Sequence, residues 1–319
     1  MKKVLAALIV VLAATAGHAQ LNGHNLRGDY GLMAGTQPPP GIWVGLLYPN
    51  IDVDKLRDRN GDERPGKPDL DYHAIAPWLW WVSQTKILGG NYSIFVAPSW
   101  ANSALEAPVL GVDSTTGVGF GDLYVQPFVL GWHKERVDYL AGLGVNAPTG
   151  RYEVDGEDNT GLGMWTYEAF GGATFYLNRA KTWNLAAAAF YATHSSKEGS
   201  NQKVGDLVTI EGGLGRTFQQ GSIIVGLVYF GQWKVSDDDL GLAFTPPDDS
   251  PIDLPDLGRH KILGAGPEVT LPLASKKTYF GSVTLRYFWD FGVESNAESQ
   301  TFILNLSVPV PFLPLTESS

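Results

Sequence analysis

Along most of this chain apolar and polar side chains alternate residue by residue. YFGSVTLRYFWDF (Tyr279–Phe291) places Tyr279, Val283, Leu285, Tyr287, Trp289 and Phe291 on one face and Ser282, Thr284, Arg286 and Asp290 on the other. TFILNLSV (Thr301–Val308) sets Phe302, Leu304, Leu306 and Val308 against Thr301, Asn305 and Ser307, and the stretch before it, 259–273, sets Leu263, Ala265, Val269, Leu271 and Leu273 against His260, Gly264, Glu268 and Thr270. A period of two belongs to extended chain whose two faces meet different surroundings. Such segments recur with little else between them. They predict strands near 41–53, 70–84, 89–100, 119–132, 137–148, 162–177, 182–194, 205–218, 222–235, 259–273, 278–293 and 299–312, twelve in all.

The connections alternate as well. HKER (His133–Arg136), NRAK (Asn178–Lys181), QQG (Gln219–Gly221) and ASKK (Ala274–Lys277) are short, whereas 54–69, 101–118, 149–161, 195–204 and 236–258 are long. Short turns at one end and long loops at the other are the habit of outer-membrane barrels. The fold expected is therefore all-β: an antiparallel transmembrane β-barrel of about twelve strands, with short periplasmic turns and long extracellular loops. Its aliphatic rows, bracketed by Tyr and Trp, suit a hydrocarbon band between two aromatic girdles. A soluble barrel or sandwich of the same period is the alternative.

One strand is irregular. In GFGDLYVQPFVLGW (Gly119–Trp132), Leu123, Val125, Pro127 and Val129 alternate with Asp122, Tyr124, Gln126 and Phe128. The first set is expected to face lipid and the second the lumen, with Trp132 at the periplasmic turn. Pro127 removes a ladder donor, which predicts a bulge.

Composition narrows the class. MKKVLAALIVVLAATAGHAQ opens with two lysines and an apolar run from Val4 to Ala16, followed by small residues at Gly17 and Ala19. That is the layout of a secretory signal peptide, too short for a spanning helix, so residues 1–19 are expected to be cleaved on the way to a Gram-negative outer membrane. Charged residues are only 18%, well below the globular average of about a quarter. The net charge of −10 disfavours nucleic acid as a partner. With no cysteine there is neither a disulfide framework nor a thiolate metal site. The partners expected are outer-membrane lipids and lipopolysaccharide, the barrel assembly machinery and a small-molecule solute.

Four regions follow: the signal 1–19, a Gly/Pro-rich segment 20–40, the barrel 41–312 and a C-terminal tail 313–319. Pro38–Pro40 enforce an extended backbone just before the first strand. The segment is read as a periplasmic tail, the alternative being that it folds into the lumen as a plug.

The lumen face then carries Asp122, Tyr124, Gln126, Asp138, Asn146, Glu168, Glu211, Glu268, Arg286 and Asp290, and the rings Phe128, Phe170, Tyr176 and Phe288 join it. These residues either fill the barrel with polar networks or line a narrow pore, with acids setting the preference. His194-Ser195-Ser196 has the spacing of a barrel hydrolase pair, with Asn201 as the nearby third group, but its loop composition is that of ordinary polar loops. DRNGDE (Asp58–Glu63) begins like a calcium loop yet lacks the sixth-place glycine and the final glutamate. GLGVNA (Gly142–Ala147) lacks the third glycine of a nucleotide loop, and its glycines are expected to admit bulky lumen neighbours. The seven aspartates of 236–258 read as a solvated loop, with cation bridging to lipopolysaccharide as the alternative. No cofactor, metal site or catalytic residue is assigned.

GFGDL (Gly119–Leu123), PTG (Pro148–Gly150) and GLGMWT (Gly161–Thr166) resemble the signature of a family of outer-membrane proteins associated with the meta-pathway of phenol degradation. GDLVTIEGGLGRTFQQG (Gly205–Gly221) is similar to that family's next hairpin. The resemblance implies a barrel of about twelve strands described as a transporter, and supplies no catalytic residues. Here Phe312 is followed by LPLTESS, a departure from barrels that end on an aromatic residue. The function expected is a passive channel for small molecules, its aromatic or hydrophobic solutes implied by the resemblance alone. A closed structural or surface-interaction barrel, and thirdly a phospholipase-like hydrolase, are the alternatives.

Overall fold

A computed structural model describes residues 22–65, 69–107, 112–154, 156, 158–218, 223–239, 259–311 and 313–314. The expected signal 1–19, the turn 219–221, most of the acidic loop and the last five residues lie outside the described residues.

The chain forms a closed antiparallel barrel of twelve strands. These are β1 (Gly41–Leu56), β2 (Asp69–Ile87), β3 (Gly90–Ala97 continued by Trp100–Ala107), β4 (Val112–Phe120 continued by Leu123–His133), β5 (Val137–Ala147), β6 (Thr166–Tyr176), β7 (Trp183–His194), β8 (Leu207–Phe218), β9 (Ile223–Lys234), β10 (Lys261–Ala274), β11 (Thr278–Glu294) and β12 (Ala297–Val310). Each pairs with its chain neighbour, and β1 closes the sheet on β12, from Ile42↔Val310 to Leu56↔Ala297. Closure leaves no edge, so the backbone can cross lipid with its donors and acceptors paired. Strands β1 to β4 run past the rim. The stretch 101–118 is thus a correction to the long loop expected there. Its Ser, Thr and Gly read as loop, but Trp100–Ala107 and Val112–Phe120 satisfy one another across the hairpin, and Trp100 meets Phe120 edge-on at 5.2 Å.

The alternation decides the two faces. In β7, WNLAAAAFYATH, the exposed positions Trp183, Leu185, Ala187, Ala189 and Tyr191 interleave with the buried Asn184, Ala186, Ala188, Phe190 and Ala192. Leu143, Leu214, Leu227, Tyr229, Trp289 and Phe291 stand exposed on the same outer face, which is the apolar band a hydrocarbon surround requires.

β4 departs from strict alternation where Pro127 sits. Its register with β5 shifts between Val125 and Phe128, and its register with β3 shifts between Ser93 and Phe95. The inserted residue inverts the phase. Val129, expected toward lipid, is fully buried, whereas Phe128, expected in the lumen, is 38% exposed and packs on Tyr92. Trp132 lies at the short-turn end and donates its indole N–H to the Leu88 carbonyl at 3.0 Å.

Residues 23–38 lie inside the barrel, a correction to the periplasmic tail expected there: their backbone and side chains find partners on the wall. The segment starts beside His194 and Leu207 at the rim carrying the long connections, the outer rim. It makes a 3₁₀ turn at Gly31–Met33 and reaches the short-turn end at Gln37, whose amide donates to Ser93 at 2.8 Å. Two apolar clusters fill the lumen around it. Leu32 packs with Val228, Phe230, Ile262, Phe288 and Ile303, and Ala34 packs with Val129, Leu140, Phe170 and Phe190.

Candidate functional site: the lumen and its outer rim

An irregular segment inside a barrel carries backbone N–H groups with no ladder to join, and each costs free energy if left unpaired. Wall side chains supply the acceptors. Glu211 accepts from the N–H groups of Gly28 and Tyr30, Glu268 from that of Leu32 at 3.1 Å, and Thr174 from that of Gly35 at 3.0 Å. Asn184 donates to the Leu32 carbonyl, and Asn25 donates to Glu168 at 3.2 Å. Arg286 donates through Nε to Glu268 at 2.6 Å and through Nη1 to the Asp29 carbonyl. Asp290 accepts from the Ser299 hydroxyl at 2.6 Å and stands 4.0 Å from Arg27, whose guanidinium lies over Phe230. Asp138 takes hydrogen bonds from Tyr176 at 2.6 Å and Thr36 at 3.1 Å. Asn146, also buried, sits between Tyr124 and Thr166 in register.

The wall is shaped as well as charged to hold this segment. Leu32 is seated over Gly213, Gly215 and Gly226, where added β-carbons would stand 2.7, 3.1 and 2.8 Å from its methyls. Such a socket closes if those glycines become alanine.

At the outer rim the GFGDL, PTG and GLGMWT stretches meet on one carboxylate. Asp122 accepts the Gly150 N–H at 2.9 Å and the Leu162 N–H at 2.7 Å, and faces His24 Nε2 at 2.7 Å. His24 Nδ1 is 2.7 Å from the Thr166 hydroxyl, which lies 2.8 Å from His194 Nδ1. Aspartate, proline-threonine-glycine and tryptophan-threonine stretches therefore tie β4, the β5–β6 connection and the N-terminal segment together.

His194 is thus bonded to a threonine of β6. The Ser195 hydroxyl accepts from the Trp165 N–H at 3.0 Å and donates to the Ser196 carbonyl, so within the hydrolase-like motif His194 and Ser195 are both engaged in local hydrogen bonds. In DRNGDE, Asp58 caps the N–H groups of Asn60 and Asp62 at 2.8 and 2.9 Å, and these bonds hold its carboxyl below the ordinary range. Among the described residues no cluster of three potential ligands could hold a metal ion. In the acidic loop, Asp238 departs from a solvated reading: it is buried and paired with Lys234 at 2.7 Å. Nearby Lys197 is almost fully buried in the β7–β8 connection, and burial pushes its ammonium pKa down to about 8. A recess of about 490 Å³ opens at this rim between the β1–β2 connection and β11, with Arg57, Asn60, Glu294 and Glu298 on its walls and Asp290 at the lumen side.

The ten polar lumen candidates read from the sequence all turn toward the inside of one barrel, and of the four rings only Phe128 turns outward. Their partners were not readable, because His24, Arg27, Asp29 and Tyr30 lie on a segment without periodicity. One signal pointed that way: the inward positions of β7 include Ala186 and Ala188, and side chains so small leave a volume that something else must fill.

A family model described as the MetA-pathway of phenol degradation matches residues 53–306. The chain belongs to this family. Among solved structures, this MetA-pathway family chain is similar to an outer membrane channel from Pseudomonas putida F1, with 14% identity, a TM-score of 0.71 and coverage of 89% of this chain and 99% of that one. The translocator domain of the autotransporter NalP from Neisseria meningitidis is more distant, at 9% identity and a TM-score of 0.48 over 85% and 89% of the two chains. No curated protein matches it.

Proposed function

We propose that this chain is an outer-membrane channel for passive uptake of small molecules, aromatic and hydrophobic ones among them, held closed by its own N-terminal segment. The observation that carries the reading is that the lumen is occupied by a separate length of chain and not by its wall. The inward residues around that length include the small Gly142, Gly172, Ala186 and Ala188 beside the larger rings and charged groups, and withdrawal of residues 22–37 would open the volume the segment now fills. The apolar exterior supports placement in an outer membrane, reached after the signal is cleaved. The family's description supports an aromatic solute. No catalytic role is assigned to any residue.

The test is conductance and uptake. In planar bilayers the native protein is expected to give small or intermittent steps, and a chain lacking residues 22–37 large, sustained ones. Liposomes carrying that variant should swell in small neutral solutes. Absence of both current and swelling from a variant that still shows the heat-dependent gel shift of a folded barrel would refute the channel. A permanently closed barrel is the second reading, favoured by the bonds that fasten the segment along its whole length. It predicts that the native chain never conducts or admits solute while the shortened one does.

A further inference from the structure

The segment in the lumen carries one phenol of its own, and the wall treats it as a ligand. Tyr30 places its ring edge-on to Phe190 at 4.8 Å and tilted toward Phe170 at 6.1 Å, while those two rings stack on each other at 5.6 Å. Its hydroxyl accepts a hydrogen bond from Gln126 Nε2 at 2.7 Å. Gln126 also donates to Tyr124 Oη at 2.9 Å, and Tyr124 donates to Glu168. The site therefore has an aromatic floor and, at a fixed distance from it, a polar relay that ends on a carboxylate.

The side chains of this arrangement all belong to the wall, although Glu168 also accepts a hydrogen bond from Asn25 of the segment. Phe170, Phe190, Gln126, Tyr124 and Glu168 come from β4, β6 and β7. The glycines of GLGVNA make room for it. A β-carbon at Gly142 would stand 2.6 Å from the Phe170 ring, and one at Gly144 would stand 2.7 Å from Tyr124 Oη and 3.1 Å from Glu168 Oε1. Two stacked rings accept a third aromatic ring at its edge or face. A buried amide that donates to a hydroxyl discriminates against a ring lacking one, because the donor is then left without that partner.

We propose that this pocket is a binding site for monohydroxylated aromatic molecules, and that Tyr30 is its built-in occupant in the closed barrel. The inference rests on the channel reading only for its physiological meaning; the pocket itself is testable by binding. A phenolic solute arriving in the lumen takes the place of the Tyr30 ring, pairs its hydroxyl with Gln126, and weakens the hold of the wall on the segment.

The probes are 4-fluorophenol and fluorobenzene, followed by fluorine NMR on the full chain in detergent. Tyr30→Ala vacates the pocket and should bind 4-fluorophenol at least ten-fold more tightly than the native chain. Adding Gln126→Leu to Tyr30→Ala should lose about ten-fold for 4-fluorophenol and little for fluorobenzene. Equal binding of the two probes by Tyr30→Ala, or no binding of either, would overturn the proposal. If Tyr30→Ala fails to give a folded barrel, Tyr30→Phe keeps the ring packing and removes the competing hydroxyl, and should still raise 4-fluorophenol affinity above native. An unchanged affinity there also overturns it. Conductance of the shortened chain separates the two readings. Current without selective ring binding sinks the pocket alone, and selective binding without current or swelling sinks the channel alone.

Discussion

Asp122 offers the sharpest test of how this barrel is held together. Its carboxylate pairs two backbone N–H groups, those of Gly150 and Leu162, and faces His24. Alanine at this position removes all three acceptor contacts at once. A hydrogen bond to a charged group contributes about 1.5–3 kcal/mol net, and the rim admits enough water to re-solvate part of what is exposed. The expected loss is about 3–5 kcal/mol, the range for removing one partner from a buried charged cluster. Asparagine should fare little better. Its oxygen can serve the Gly150 N–H, but its amide then points a donor at the Leu162 N–H. Unfolding in urea from lipid vesicles, followed by tryptophan fluorescence, measures the loss, and trypsin cleavage at the exposed Arg151 reports release of the β5–β6 connection. If Asp122→Ala and Asp122→Asn both lie within about 1 kcal/mol of the native chain, with Arg151 cleavage unchanged, the three motifs are not joined through this carboxylate.

Other expectations follow from single contacts. Arg286→Ala strands Glu268 as a buried charge and should destabilise the barrel by about 3–5 kcal/mol in the same urea assay, while Arg286→Met with Glu268→Gln, which removes the charge and keeps an acceptor for the Leu32 N–H, should recover part of it; a double variant no more stable than the single would refute this. The chain has no cysteine, so Phe128→Cys and Val129→Cys can be labelled cleanly. A membrane-soluble maleimide should modify the first and spare the second, and the reverse result would return β4 to strict alternation. Lys197 titrates near 8 in the folded chain against an ordinary 10.5, so between those values the unfolded chain binds the extra proton and stability from this group rises with pH. The penalty is complete below pH 8. Lys197→Met should remove that rise, and identical pH profiles for the two chains would count against a buried ammonium.

Pro127 and the N-terminal segment show where local reading stops. Pro127 announced a bulge, since a residue without an N–H cannot keep its place in a ladder, but which neighbours would change faces depended on where the extra residue was taken up. That was fixed only by the partner strands, whose registers shift at Val125/Phe128 and Ser93/Phe95. Three prolines said that residues 38–40 would not join the sheet; they did not say whether the chain before them turned outward or in. Glu211 and Glu268 were legible as inward-facing residues from their phase in β8 and β10, yet the backbone N–H groups they serve belong to residues about 180 to 240 positions away.

The sequence alone determined the barrel: the period of two, the twelve segments and the alternation of short and long connections each follow from the rule that extended chain in lipid must show an apolar face and close on itself. Tertiary structure decided what fills that barrel. A lumen is bounded by every strand at once, so its contents depend on volumes and hydrogen-bond partners contributed from the whole circumference, and no local pattern in 22–40 records them. The acids that could have lined an open pore are instead the acceptors for a segment lying through it, with Tyr30 against Phe170 and Phe190 at its centre.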